Sequence, residues 1–408
     1  MIVKFCNYSK IFHKKGLTLI KIGDIIFLYS IRKRQVLRID KRKKETLNSK
    51  YKFWWDFMAD DYFRQRDNDN MLRLRKLRRE LPSFCDDFFR GIENTTSLLT
   101  RVSYAYDLRI FFDFLVNLTD EFDGMTVKDF KVYDLNRVTL DNLEFFVENL
   151  SLYSFKGKEY SDNERAKARK IATIRSFFKY FYNKGLLEKD VAAKIRMPKL
   201  HDKPIIRLDV DEVADLLDIV DGTLEHDAFN PHQKKYLEHT KLRDTAILTL
   251  LLGTGIRVSE CVGLNVEDID FKNNAFTVTR KGGNRTILYF SDEVAETLLE
   301  YVKYRIQIVV ETSALFLSLQ NKRISVRAVQ LMVKKYAQVA TPLKKITPHK
   351  LRSTYGTNLY NETGDIYVVA DVLGHKDVNT TKKHYAALSD DIRKKAARKV
   401  QLRDKKSD

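Results

Sequence analysis

Cysteine is scarce: Cys6, Cys85 and Cys261 are the only three in 408 residues, and none forms a CxxC pair. Such spacing excludes a disulfide framework and a zinc ribbon, and it fits a reducing compartment. No apolar run reaches the roughly 18 residues that a membrane helix needs. The best candidate, residues 17–31, is broken by Lys21 and Asp24, and no small-residue cleavage pattern follows it. The expected location is therefore cytoplasmic, with no membrane partner. There is no internal repeat, and no low-complexity tract beyond the basic run at 41–44. No cluster of Asp and Glu resembles a two-metal nuclease site. His226, His232 and His239 do not follow a ligand spacing. Gly253-Thr254-Gly255 lacks the third glycine of a dinucleotide loop and follows a predicted helix rather than a strand. No metal and no cofactor are expected.

What is present describes a folded, basic chain. Hydrophobic residues make up 44% and aromatics 12%, too many for a disordered chain. The length allows two or three domains. The formal net charge of +19 points to a polyanionic partner, nucleic acid before an anionic membrane surface. That charge is uneven. Residues 1–50 hold 14 Lys and Arg against 3 Asp and Glu, so the total is a poor guide to where a ligand binds.

Hydrophobic periodicity divides the chain. Residues 17–31 suggest a short hairpin turning at Gly23-Asp24. Residues 71–90 read as a basic helix, a break at Pro82 and a second helix. Helices are predicted over 98–118, after a Thr139 cap, and over 162–184, ended by Gly185. The last has basic residues Arg165, Lys167, Arg169, Lys170 and Arg175 on one face. Its aromatic stripe, Phe177, Phe178, Tyr180, Phe181 and Tyr182, is assigned to the core. After the linker-like PKLHDKP at 198–204, helices are predicted at 209–220 and 241–252. FTVTR and TILYF then flank Lys281-Gly282-Gly283-Asn284 as a hairpin, and helices resume at Asp292. The expected fold is mainly α: a helical domain at 71–198, a linker at 199–205, and a mixed helical domain with a small antiparallel sheet at 206–408. A basic extension occupies 1–70.

Four segments of the second domain carry chemistry: TGIRVSE at 254–260, the hairpin Lys281, HKLR at 349–352, and Leu373-Gly374-His375 with Tyr385 ten positions after that histidine. They supply two arginines, a lysine, two histidines and a tyrosine. A phosphodiester substrate would use all of them. Its transition state spreads negative charge over the non-bridging oxygens, which two planar guanidinium forks can clamp. A tyrosine hydroxyl, with a free pKa of about 10, needs a base to attack phosphorus, and a histidine can serve. A lysine can protonate the leaving alkoxide. His349 and Arg352, three apart, share a helix face. Each residue alone reads as structural or solvated; the set and its order favour a site.

In this order the motifs resemble the tyrosine recombinase and phage integrase family, and within it the Xer-type site-specific recombinases of Gram-positive bacteria. The likeness runs from about Met71 to about Arg403. It implies an N-terminal helical core-binding, SAM-like domain and a C-terminal catalytic domain of the DNA breaking-rejoining fold. It further implies that Arg257 and Arg352 bind the scissile phosphate, and that Lys281 is the general acid toward the 5′ oxygen. His349 would exchange the proton of Tyr385, His375 would hydrogen-bond the phosphate, and Tyr385 would form a 3′-phosphotyrosyl intermediate. Glu260 would support an arginine from behind. The phosphotyrosine conserves the energy of the broken bond, so neither metal nor ATP is required. Implied partners are duplex DNA with an inverted-repeat site and a homotetramer on two synapsed duplexes. Strand exchange would pass through a Holliday junction, in chromosome-dimer resolution or in mobile-element integration and excision, and the protein would join the nucleoid when bound.

The sequence departs from the family in two places. Ser353 stands where many members have a second histidine. The loop RKGGNR has an extra glycine, which leaves Arg280 as a weaker rival to Lys281. In the family the N-terminal domain that holds the 162–184 helix closes one side of a clamp on duplex DNA, which implies for the helix's five basic residues a contact role through phosphates. The basic segment IRKKAARKV, at 392–400, is expected to dock on a neighbouring subunit. Two other readings stand beside the recombinase: a type IB topoisomerase with the same chemistry, and a non-catalytic DNA-binding protein of the same fold. Residues 1–70 are either an extension adding non-specific DNA affinity or a product of start-site choice, since Met71 opens the matching region.

Overall fold

The computed structural model describes residues 62–201, 206–223, 231–280, 283–310, 312–374 and 377–378, without the side chains of 231–236. The expected hairpin at 17–31, most of the basic extension and the segment IRKKAARKV lie outside the described residues.

The first helices are α1 (Tyr62–Arg78), α2 (Cys85–Gly91), α3 (Leu98–Leu118) and α4 (Leu140–Asn149). A short antiparallel hairpin, β1 (Tyr153–Phe155) and β2 (Lys158–Tyr160), leads into α5 (Glu164–Asn183). Local signals fix these ends. Ser97, Thr139 and Asn163 each accept a backbone N–H of the first turn, from Thr100, Asn142 and Ala166. Pro82 separates α1 from α2.

One core binds these helices together. Leu74 and Leu77 of α1, Phe88 of α2, Phe111 and Phe112 of α3, and Phe177, Phe178 and Phe181 of α5 are all buried. Their rings meet edge to face, as between Phe88 and Phe177 at 5.1 Å and 82°. The aromatic stripe of α5 is therefore core, except that Tyr182 points outward.

The second core spans residues 208–351. It is built from α6 (Val210–Asp221), α7 (Pro231–Thr254), α8 (Val258–Gly263), α9 (Asp292–Arg305), α10 (Val326–Ala340) and α11 (Pro348–Thr363). An antiparallel sheet of β3 (Ile269–Asp270), β4 (Ala275–Thr279) and β5 (Arg285–Tyr289) covers one side, with Thr277 opposite Ile287. A short α12 (Ile366–Leu373) packs through Val369 and Leu373 on Tyr355 and Leu359 of α11.

The expected break at residue 70 is corrected: α1 runs through it. Tyr62 packs against the second core, while Leu74 and Leu77 lie in the first. The Arg323 guanidinium sits 5.4 Å from the Tyr62 ring centre and donates to the carbonyls of Val262 and Leu264. A Cβ on Gly263 would come within 2.6 Å of Phe63, so glycine is what lets that ring lie against α8.

Candidate active site

The C-terminal end of α12 organises the site. The last carbonyls of a helix have no intrahelical donors and form the negative end of its dipole. Three arginines supply donors here. Arg352, on α11 and only 5% exposed, donates to Gly255 O at 2.6 Å and to Leu373 O. Arg257 donates to Gly374 O at 3.1 Å. Arg280, just past β4, donates to Val372 O at 2.8 Å and to Asp371 O at 3.3 Å. Guanidiniums from three separate elements thus meet on four consecutive residues.

Glu260 aims Arg257. Its buried carboxylate accepts the backbone N–H of Arg257 at 2.9 Å and the guanidinium at 2.8 Å. Burial pushes the Arg280 guanidinium below its ordinary value, and the charge of Arg257 acts in the same direction; Glu260 and Asp371 oppose both. His349 is exposed, one turn before Arg352 on α11. Gly374 has φ +63, and a Cβ there would fall 1.6 Å from a nitrogen of Arg280, so a side chain would both strain the backbone and push the guanidinium aside. Lys281, His375 and Tyr385 lie outside the described residues; Lys281 follows Arg280 and His375 follows Gly374 in the chain.

The shared basic face on α5 is corrected. Five charges at positions 165, 167, 169, 170 and 175 cannot line one side of a helix with 3.6 residues per turn. Lys170 is 3% exposed and ion-paired with Asp162, which withdraws it from any duplex. Arg175 turns to the Ile195 and Ala193 carbonyls and ties α5 to the short helix Val191–Lys194. Arg169 is paired with the buried carboxylate of Asp107, and Lys167 donates to Ser151 at 2.6 Å. Arg165 is exposed.

Sequence reasoning missed Arg280 as part of the arginine cluster. Its signal was only its place beside Lys281, because the contact that reveals it joins residues more than ninety positions apart.

Residues 207–391 match the model of the phage integrase family. The chain is also 35% identical over 290 residues to the tyrosine recombinase XerC of Caldanaerobacter subterraneus subsp. tengcongensis, spanning 69% of this chain and 75% of that protein. The chain belongs to the tyrosine recombinase family. A second relative of this recombinase is the tyrosine recombinase XerD of Staphylococcus epidermidis, 32% identical over 239 residues, or 58% of this chain and 76% of that one. Among solved structures, the XerH site-specific recombinase bound to a palindromic difH substrate aligns with TM-score 0.55 and 18% identity, covering 74% of this chain and 80% of that one. A lambda integrase tetramer bound to a Holliday junction aligns with TM-score 0.53 and 15% identity, covering 74% and 76%. These likenesses establish the fold: mainly helical, with small antiparallel sheets. The protein is a site-specific DNA recombinase. Among the described residues, no helix is long and apolar enough to cross a membrane.

Proposed function

We propose that this recombinase cuts and rejoins duplex DNA by transesterification on Tyr385. The observation that carries the reading is the convergence of Arg257 and Arg352 on the neighbouring carbonyls of Gly374 and Leu373, immediately before His375 in the chain. Two guanidiniums held side by side suit the non-bridging oxygens of one phosphodiester, where charge grows in the transition state. His349 takes the proton of the Tyr385 hydroxyl as its oxygen attacks phosphorus. The bond to the 5′ oxygen breaks, and Lys281 protonates that oxygen as it leaves. His375 hydrogen-bonds the phosphate. The 3′-phosphotyrosyl bond then accepts a 5′ hydroxyl from a partner strand in the reverse reaction, with no metal or ATP.

The substrate is an inverted-repeat site. Four copies of the chain assemble on two synapsed duplexes and exchange strands in pairs through a Holliday junction, in chromosome-dimer resolution or mobile-element integration and excision. The relatives named tyrosine recombinase and the fold of the lambda integrase tetramer support this assembly. The contribution of α5 to binding falls to Arg165, with Arg169 and Lys167 beside their present partners.

A nicked suicide duplex tests the chemistry. The expected result is a covalent protein–DNA adduct that disappears in Tyr385→Phe; no adduct from the unaltered chain overturns the proposal. Mapping adducts across a genome separates the biological roles. Adducts at one chromosomal locus fit dimer resolution, and adducts at the ends of an inserted element fit integration. Relaxation of a supercoiled plasmid that lacks the site would instead favour a topoisomerase.

A further inference from the structure

Arg280 belongs to two structures at once. Its backbone closes the hairpin loop: its N–H donates to Asn284 O at 2.8 Å, and its carbonyl accepts from Gly283 N–H at 3.1 Å. Its side chain leaves the sheet and reaches the end of α12, donating to Val372 O and Asp371 O. The guanidinium lies so close to the Gly374 backbone that even a methyl group there would displace it. A planar fork on two successive carbonyls fixes direction as well as distance, which a single ammonium does not. The hairpin is thereby joined to the helix end at the base of its loop, where Arg280 pairs with Asn284. The next residue in that loop is Lys281.

We propose that Arg280 is a positioning residue: it pins the base of the hairpin loop to the end of α12 and so holds Lys281 where the 5′ oxygen leaves. Arg280 does not touch the substrate; it acts through Lys281. The inference rests on the proposed role of Lys281 as general acid. The step it serves is the departure of the 5′ oxygen. Tyr385 oxygen forms its bond to phosphorus, the bond from phosphorus to the 5′ oxygen breaks, and the Lys281 ammonium proton passes to that oxygen. Proton delivery of this kind contributes about a hundredfold to ten-thousandfold, and a loosened donor loses part of it.

The test replaces the 5′ bridging oxygen with sulfur. A thiolate leaves without needing a proton, so a defect in general-acid delivery vanishes on this substrate, whereas a defect in phosphate binding or folding does not. Single-turnover cleavage is measured for the full chain, Arg280→Ala and Lys281→Ala on both duplexes. Arg280→Ala is expected to cleave the ordinary duplex about tenfold to a hundredfold more slowly, and the sulfur duplex at the unaltered rate. Arg280→Lys, which keeps the charge without the fork, falls between. Full activity of Arg280→Ala on the ordinary duplex overturns the inference. So does a defect that persists on sulfur while Lys281→Ala is restored there, an outcome that leaves the Lys281 role standing. If Lys281→Ala is not restored on sulfur, both the acid assignment and the inference fall. Should Arg280→Ala fail to bind duplex DNA, Arg280→Lys is read by the same criteria.

Discussion

Arg257 and Glu260 are joined twice, once through the Arg257 backbone N–H and once through its guanidinium. A single carboxylate therefore sets both where the helix α8 begins and where the arginine points. Glu260 is buried while the Arg257 side chain stays partly exposed, so the carboxylate has the arginine rather than bulk water to pair with. Glu260→Ala is expected to slow adduct formation about tenfold to a hundredfold, and Glu260→Gln by less, because the amide still accepts the backbone N–H. Single-turnover cleavage of the suicide duplex checks this. Equal rates in all three proteins would refute it.

Arg352→Lys keeps the charge and loses the fork. A lysine reaches one of Gly255 O and Leu373 O, not both, and cannot clamp two phosphate oxygens. Adduct yield is expected to drop about a hundredfold or more, with duplex binding changed by far less. Gel-shift and adduct assays on the same samples separate the two effects.

Gly374→Ala combines a left-handed backbone with a collision at Arg280. The expected cost is about 1–3 kcal/mol in unfolding free energy, together with slower cleavage. Urea denaturation measures the first. The companion variant Gly364→Ala, also at positive φ but with open space around its Cβ position, isolates the backbone strain.

The start of α1 also makes a stability prediction. A chain beginning at Met71 loses the Tyr62 ring from Arg323 and the Phe63 ring from α8. Two half-buried aromatic rings are worth about 2–4 kcal/mol, so thermal denaturation should show a lower midpoint, with Tyr62→Ala giving part of the loss. Unchanged midpoints would show the contact to be incidental.

Asp107 gives a pH prediction. Burial raises its pKa, and the Arg169 and Thr173 hydrogen bonds only partly offset this. The folded chain therefore binds this proton more tightly than the unfolded one. Its contribution to stability is fully present below the ordinary carboxylate value of about 4 and is lost as pH rises through the raised folded value. Asp107→Asn removes that slope. Urea midpoints across this range, compared between the two proteins, provide the check.

The sequence made some of this legible and hid the rest for physical reasons. Helix α3 and helix α5 announce themselves through apolar periodicity and the Ser97 and Asn163 caps. The β1–β2 hairpin does not: its second strand is wholly exposed, and its turn places Lys156 at φ 53 beside Gly157, where an Asn or Asp would have been the signal. Helix α7 begins at Pro231, ahead of the apolar stretch, because its first turns are polar. In the candidate site, motif order singles out Arg257 and Arg352 as candidates, while the contact of Arg280 with α12 exists only after folding. Lys170 shows the converse error, since charges adjacent in sequence point in different directions around a helix.

Each guanidinium carries five N–H groups, and the helix end takes some of them from all three arginines. Folding, rather than DNA, settles where these side chains point. In the proposed reaction, a phosphate arriving at Arg257 and Arg352 would meet donors whose rotamers are already fixed, and less freedom would be lost on binding. The same tether would limit how far Arg257 and Arg352 could follow the phosphorus as it changes geometry, so in the proposed reaction the α12 terminus would be a template for one stage only.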